Sequence, residues 1–116
     1  MSNMKQVIAY IKPLKFESVM LALHRIERLT GISVLEMQGC GRSRKANQES
    51  IFDEENYGLV SRLKLEISCY DNLVEQVVST LQESAHTGLS GDGKIYVLPV
   101  LEAVRISTGD TGEMAI

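Results

Sequence analysis

The sequence has no tryptophan, two cysteines, two prolines and six other aromatic residues, four Tyr and two Phe. It lacks a C-x-x-C pair, and Cys40 and Cys69 lie far apart, which argues against a disulfide framework and for reduced thiols, each a small packed residue. With only His24 and His86 beside them, a Cys/His metal site has weak support, and both histidines read as surface or boundary residues. Long hydrophobic runs are also missing. The run Val7 to Ile11 ends at Lys12-Pro13, too short for a signal-peptide core and far too short to span a bilayer. The expectation is a cytoplasmic protein. An excess of positive charge is absent too. The net charge is −3, so no electrostatic attraction draws nucleic acid or an anionic membrane.

What is present is a strand-helix-strand pattern, met twice. Val7 to Ile11 suits a strand covered on at least one face. Phe16, Val19, Leu23 and Ile26 then recur at helical spacing after Pro13, and Gly31 predicts a helix end near Thr30-Gly31. Ile32, Val34 and Met37 suggest a second strand running to Gly39. In the second half "LKLEISCY", residues 63 to 70, sets Leu63, Leu65, Ile67 and Cys69 on one face. Asp71 or Asn72 is the expected cap of the next helix, whose apolar stripe is Val74, Val77, Val78, Leu81 and Ala85. A strand follows from Lys94 to Leu101, where Pro99 predicts an edge or a bulge, and Ala103 to Ile106 adds a short apolar stretch before a polar tail.

Two such units predict one domain over 1–116, a ferredoxin-like βαββαβ sandwich of the α+β class with two helices on one sheet face. The other face would be bare, and self-association is the simplest cover. The halves are joined by "GCGRSRKANQESIFDEENYGLVS", long and without periodicity, basic at Arg42, Arg44 and Lys45 and acidic at Glu49, Asp53, Glu54 and Glu55. Such a length suits either a solvated insertion or a partner-binding loop.

The chemistry concentrates in "TGLSGDGKIYVLPV", residues 87 to 100. Gly88, Gly93 and Lys94 satisfy the first positions of a Walker A motif, but Ile95 stands where Ser or Thr should hold magnesium. A strand follows, whereas a P-loop opens onto a helix. Gly88, Gly91 and Gly93 free the backbone to form an anion-holding nest, Lys94 offers a charge, and Asp92 could orient the turn or accept from a ribose hydroxyl or a cation. The same residues also suit a plain helix-to-strand turn. Gly39, Gly41, Arg42 and Arg105 are further candidates at strand ends. No G-x-S-x-G elbow is present, and the carboxylates of the long connection read as a solvated patch. The expectation is a protein without catalytic activity.

On these residues the chain resembles the PII signal-transduction proteins, the nitrogen-regulatory family. "TGLSGDGKIYVLPV" is similar to the B-loop and following strand, "VIAYIKPLKFESVMLAL" to the first strand and helix, and "TGISVLEMQGCGR" to the second strand entering the T-loop. "LKLEISCYDNLVEQVVSTLQESAHTG" and "AVRISTGDTGEMAI" resemble the remaining elements, so the likeness covers nearly the whole chain. It implies a homotrimer, a T-loop at about 41–61, a B-loop at about 86–94, a C-terminal tail at about 107–116, and ATP, ADP or AMP held between subunits. Gly91, Asp92, Gly93 and Lys94 would hold phosphates, with Arg105, Gly41 and Arg42 reaching them and Thr87 beside them. Ser33 and Glu66, with backbone near Ile32 and Ser68, would cradle adenine and ribose.

Several departures point to a divergent member. Glu55 stands where uridylylated members carry Tyr, and Tyr57 lies two residues on. Ser43 replaces a Gln that assists magnesium and 2-oxoglutarate, although Arg62 matches the family cation for the 2-oxoglutarate carboxylate. That combination weakens the case for Mg2+ and 2-oxoglutarate. Leu89 and Ser107 replace basic residues, which lowers the expected preference for ATP. The implied partner is a target protein, whether transporter, efflux system or metabolic enzyme, met through the T-loop. The alternatives are a CutA-like structural or metal-tolerance trimer without nucleotide sensing, and a slow phosphohydrolase using the Gly88–Lys94 loop.

Overall fold

A computed structural model describes residues 3–41 and 58–116. Arg42, Ser43, Glu55, Tyr57 and most of the proposed T-loop lie outside them. Strand β1 (Met4–Ile11) places Val7, Ala9 and Ile11 inward and Ile8 and Tyr10 on the opposite face. Both faces are apolar, which is why the sequence reads there as an unbroken run. Pro13 opens a single 3-10 turn leading into helix α1 (Phe16–His24), which buries Val19 and Leu23.

Helix α1 stops well short of Gly31. The amides of Arg25 and Ile26 bond back three residues, to Ala22 and Leu23, so the last turn tightens. His24 Nδ1 lies 2.7 Å from the Met20 carbonyl oxygen. Ile26 still reaches the core, and the left-handed conformation expected at Gly31 falls on Arg28, at φ 70°.

Strand β2 (Ser33–Gly39) pairs antiparallel with β3 (Val60–Tyr70), so Val60 and Ser61 belong to a strand that starts three residues before Leu63. Leu65, Ile67 and Cys69 are buried, as their alternation predicts. Helix α2 (Val74–Ala85) buries Val77, Leu81 and Ala85, with Val74 and Val78 packed beside them. Asp71 makes no side-chain cap; its carboxylate instead accepts from Lys5 Nζ at 2.6 Å, the stronger charge-assisted partner. Strand β4 (Lys94–Pro99) ends at Pro99 rather than Leu101. The Ala103 to Ile106 stretch forms one bridge, Val104 to Thr111, instead of a strand.

The sheet order is β2-β3-β1-β4, wholly antiparallel, with β4 on an edge as Pro99 requires. Both helices cover one face, giving the expected ferredoxin-like α+β sandwich. The other face carries Leu35, Tyr96 and Leu98, all substantially exposed, and Tyr96 meets Tyr10 edge-on at 6.1 Å. Cys69 is buried as expected and its thiol pKa is raised, first by burial and then by the Asp71 charge, whereas Cys40 is exposed rather than packed. Leu81 is fully buried and Leu21 is 58% exposed. Leu81→Ala should therefore cost about 2–5 kcal/mol in chemical denaturation, while Leu21→Ala should stay within about 0.5 kcal/mol.

Candidate functional site

The loop between α2 and β4 is shaped by contact with the end of β1. Gly93 has φ 107°, and a Cβ there would sit 1.7 Å from the Tyr10 carbonyl oxygen. Backbone cannot yield to that, so only glycine fits. Lys94 follows at once and enters the ladder opposite Tyr10, with an exposed side chain and no ion pair among the described residues. Gly91, at φ 81°, faces Arg62, whose Nη2 donates to the Gly91 carbonyl at 3.2 Å.

Asp92 closes the loop on itself. Its Oδ2 accepts from the Thr87 amide at 2.8 Å, and its Oδ1 accepts from the Thr87 hydroxyl. Lys12 Nζ lies 3.2 Å from the same carboxylate, and His86 Nδ1 lies 3.5 Å from it. The Thr87 bonds, with Lys12 behind them, hold the Asp92 carboxyl well below the usual carboxylate range. The Thr87 oxygen also accepts from the Leu89 amide at 3.1 Å and from Lys12 at 3.3 Å, so its one donor and two acceptor positions are all filled. Thr87 and Asp92 thus shape the loop, and the Lys94 side chain beside it is exposed. Lys12 was not singled out from the sequence; only its place after β1, beside the loop in space, gives it this part.

A second group gathers in an open depression of about 460 Å³, lined by Ile32, Ser33, Glu66, Ser68 and Arg105, with Ala115 and Ile116 on one side. Arg105 is set there by a tight turn in which its amide donates to Asp110 and its carbonyl accepts from Gly109. Ala115 and Ile116 carry no sequence signal for such a position. The two groups do not meet within one chain. Arg62 belongs to the loop group and Glu66 to the depression, four residues apart on β3, or about 13 Å. Gly41 is exposed beyond β2, with nothing within 4 Å of its would-be Cβ.

The loop offers an anion backbone N–H groups and a cation, and the depression offers a carboxylate, hydroxyls and a guanidinium. Among the described residues no cluster of three His, Cys, Asp or Glu could hold a metal, and no helix is long and apolar enough to cross a membrane. A group whose pKa is lowered in the folded state stabilises fully above its unfolded value, about 3.9 for Asp, and ceases to do so as pH falls through the folded value. The Thr87 amide resonance should show an acid titration that falls below about pH 4. In Asp92→Asn that acid titration should vanish, as NMR would show.

The Nitrogen regulatory protein P-II family model matches residues 4–110. The chain is 42% identical over 113 residues to a Nitrogen regulatory protein P-II of Azospirillum brasilense, covering 97% of this chain and 100% of that one. It is 41% identical to the Rhodospirillum rubrum protein of the same name, with the same coverage. The crystal structure of Arabidopsis thaliana PII bound to citrate superposes with a TM-score of 0.80 at 35% identity, covering 99% of this chain and 94% of that one. These matches leave the CutA-like alternative without support. Sequence and fold converge, and the chain belongs to the nitrogen regulatory P-II family.

Proposed function

We propose that this chain is a non-catalytic signal protein that binds an adenine nucleotide and, through the 41–61 connection as its T-loop, regulates a target protein. The observation that carries the reading is the division of the site residues. One chain holds the glycine loop with Gly91, Gly93 and Lys94 near one end of β3, where Arg62 meets Gly91, and a polar depression with Ser33, Glu66 and Arg105 further along it. Neither is a whole nucleotide site. A homotrimer would bring the loop of one copy to the Arg105 of the next and would cover the exposed Leu35, Tyr96 and Leu98.

Phosphates would lie on the glycine backbone with Lys94 as the charge, and Arg105 would come from the adjoining copy. Adenine and ribose would lie against Ser33 and Glu66. A general base poised for hydrolysis needs a pKa near neutrality; Asp92, the carboxylate of the loop, is pushed the other way. That leaves Asp92 ill suited to the part of such a base. Nucleotide occupancy would act on the T-loop only by binding its states unequally, with Gly41, Arg42 and Arg62 nearest the junction.

Titration calorimetry tests the reading. ADP and ATP should bind in the micromolar range, and Lys94→Ala should weaken both by about 10-fold or more, the loss of one charge-assisted hydrogen bond. With Leu89 and Ser107 supplying no charge, ATP should bind no tighter than ADP. Adding 2-oxoglutarate or bicarbonate to the same panel asks for a second effector. Silence with ATP, ADP and AMP alike would defeat the proposal.

A further inference from the structure

Tyr70 is the last residue of β3, and it touches two segments that matter to the depression. Its hydroxyl lies 3.2 Å from the Glu113 main-chain oxygen and 3.3 Å from that of Ile116. A phenol has one proton, so the bond is shared or alternates between the two oxygens. Ala115 and Ile116 form one wall of the depression. Besides Tyr70, the 112–116 segment is tied by the Gly112 amide, which donates to Ala103 at 3.0 Å.

The face of the Tyr70 ring meets the turn that leads into the Thr30 to Ser33 segment. The Arg28 guanidinium lies 5.5 Å from the ring centroid. Arg28 is the one non-glycine residue with positive φ among the described residues. That conformation is costly for a residue with a Cβ, and the cation over an aromatic face offsets part of the cost. Two residues later the chain runs through Thr30, Gly31, Ile32 and Ser33, which line the depression. Tyr70 itself does not line it.

We propose that Tyr70 is a positioning residue that sets the width of the depression. Its hydroxyl holds the 112–116 wall and its ring holds the Arg28 turn, so a flat ligand meets walls already in place and less ordering is needed on binding. The proposal rests on the reading of this depression as the adenine and ribose half of a nucleotide site.

Two variants of the intact chain test it, with ADP as the probe. Tyr70→Phe keeps the ring and removes the hydroxyl. Calorimetry should show ADP binding about five-fold weaker, the effect of one lost hydrogen bond, and hydrogen exchange at Gly112 and the amides after it should quicken while β1 and β3 stay protected. Arg28→Gly relieves the backbone and removes the cation. It should weaken ADP to a similar degree with an unchanged or higher unfolding midpoint, a split that a purely structural role would not produce. Wild-type affinity and wild-type exchange in Tyr70→Phe would overturn the proposal, and unaltered affinity in Arg28→Gly would remove the ring's share in it. If the unmutated chain binds no ADP, the nucleotide reading fails instead, and the exchange of the 112–116 amides alone then decides whether Tyr70 holds that wall.

Discussion

The carbonyl oxygen of Tyr10 occupies the space where a side chain on residue 93 would begin. Much of the loop follows from that contact. The chain can pass so close to β1 only as glycine with a left-handed backbone, and once past it Lys94 drops directly into register with Tyr10. Two residues beyond Tyr10, Lys12 reaches the carboxylate of Asp92, which in turn holds Thr87. The end of one strand therefore fixes the loop at both its approach and its exit. In the proposed reading, an anion arriving there would meet donors held by the sheet, with little ordering left to do on binding.

The alternation from Leu63 to Cys69 and the stripe from Val74 to Ala85 were legible in the sequence, because burial on one face writes a period of two or of about 3.6 into the chain. The end of α1 was not. Gly31 looked like the natural stop, yet the stop is set by where Ile26 must go to stay in the core, and Arg28 takes the turn with Tyr70 as its support. Pro99 announced an edge or a bulge because a missing N–H is a local fact, and the edge is what forms. The part played by Lys12 was invisible, since nothing near it in sequence calls for a cation; its partner lies 80 positions on.

The sequence names candidate site residues but not how they are arranged. Glycine, aspartate and lysine between 88 and 94 can be read as a cradle or as a bend, and only the crowding against Tyr10 and the saturation of the Thr87 hydroxyl separate the residues that build the loop from those left to face outward. Likewise Ser33, Glu66 and Arg105 are far apart in sequence, and the antiparallel pairing of Ser33 with Glu66 is what joins the first two. That the loop and the depression then stand apart on one strand is a matter of topology, and in the proposed reading it makes a second copy of the chain part of the site.

Pro99 has one more effect. Strand β4 closes the sheet on one side, and its outer margin offers main-chain groups to any extended segment that drifts near. A proline at the sixth and last residue cuts that margin short and withdraws a donor where an added strand would continue. The residue that trims the edge thus also discourages open-ended sideways growth of the sheet by added strands, while the apolar face that carries Tyr96 and Leu98 is untouched by it.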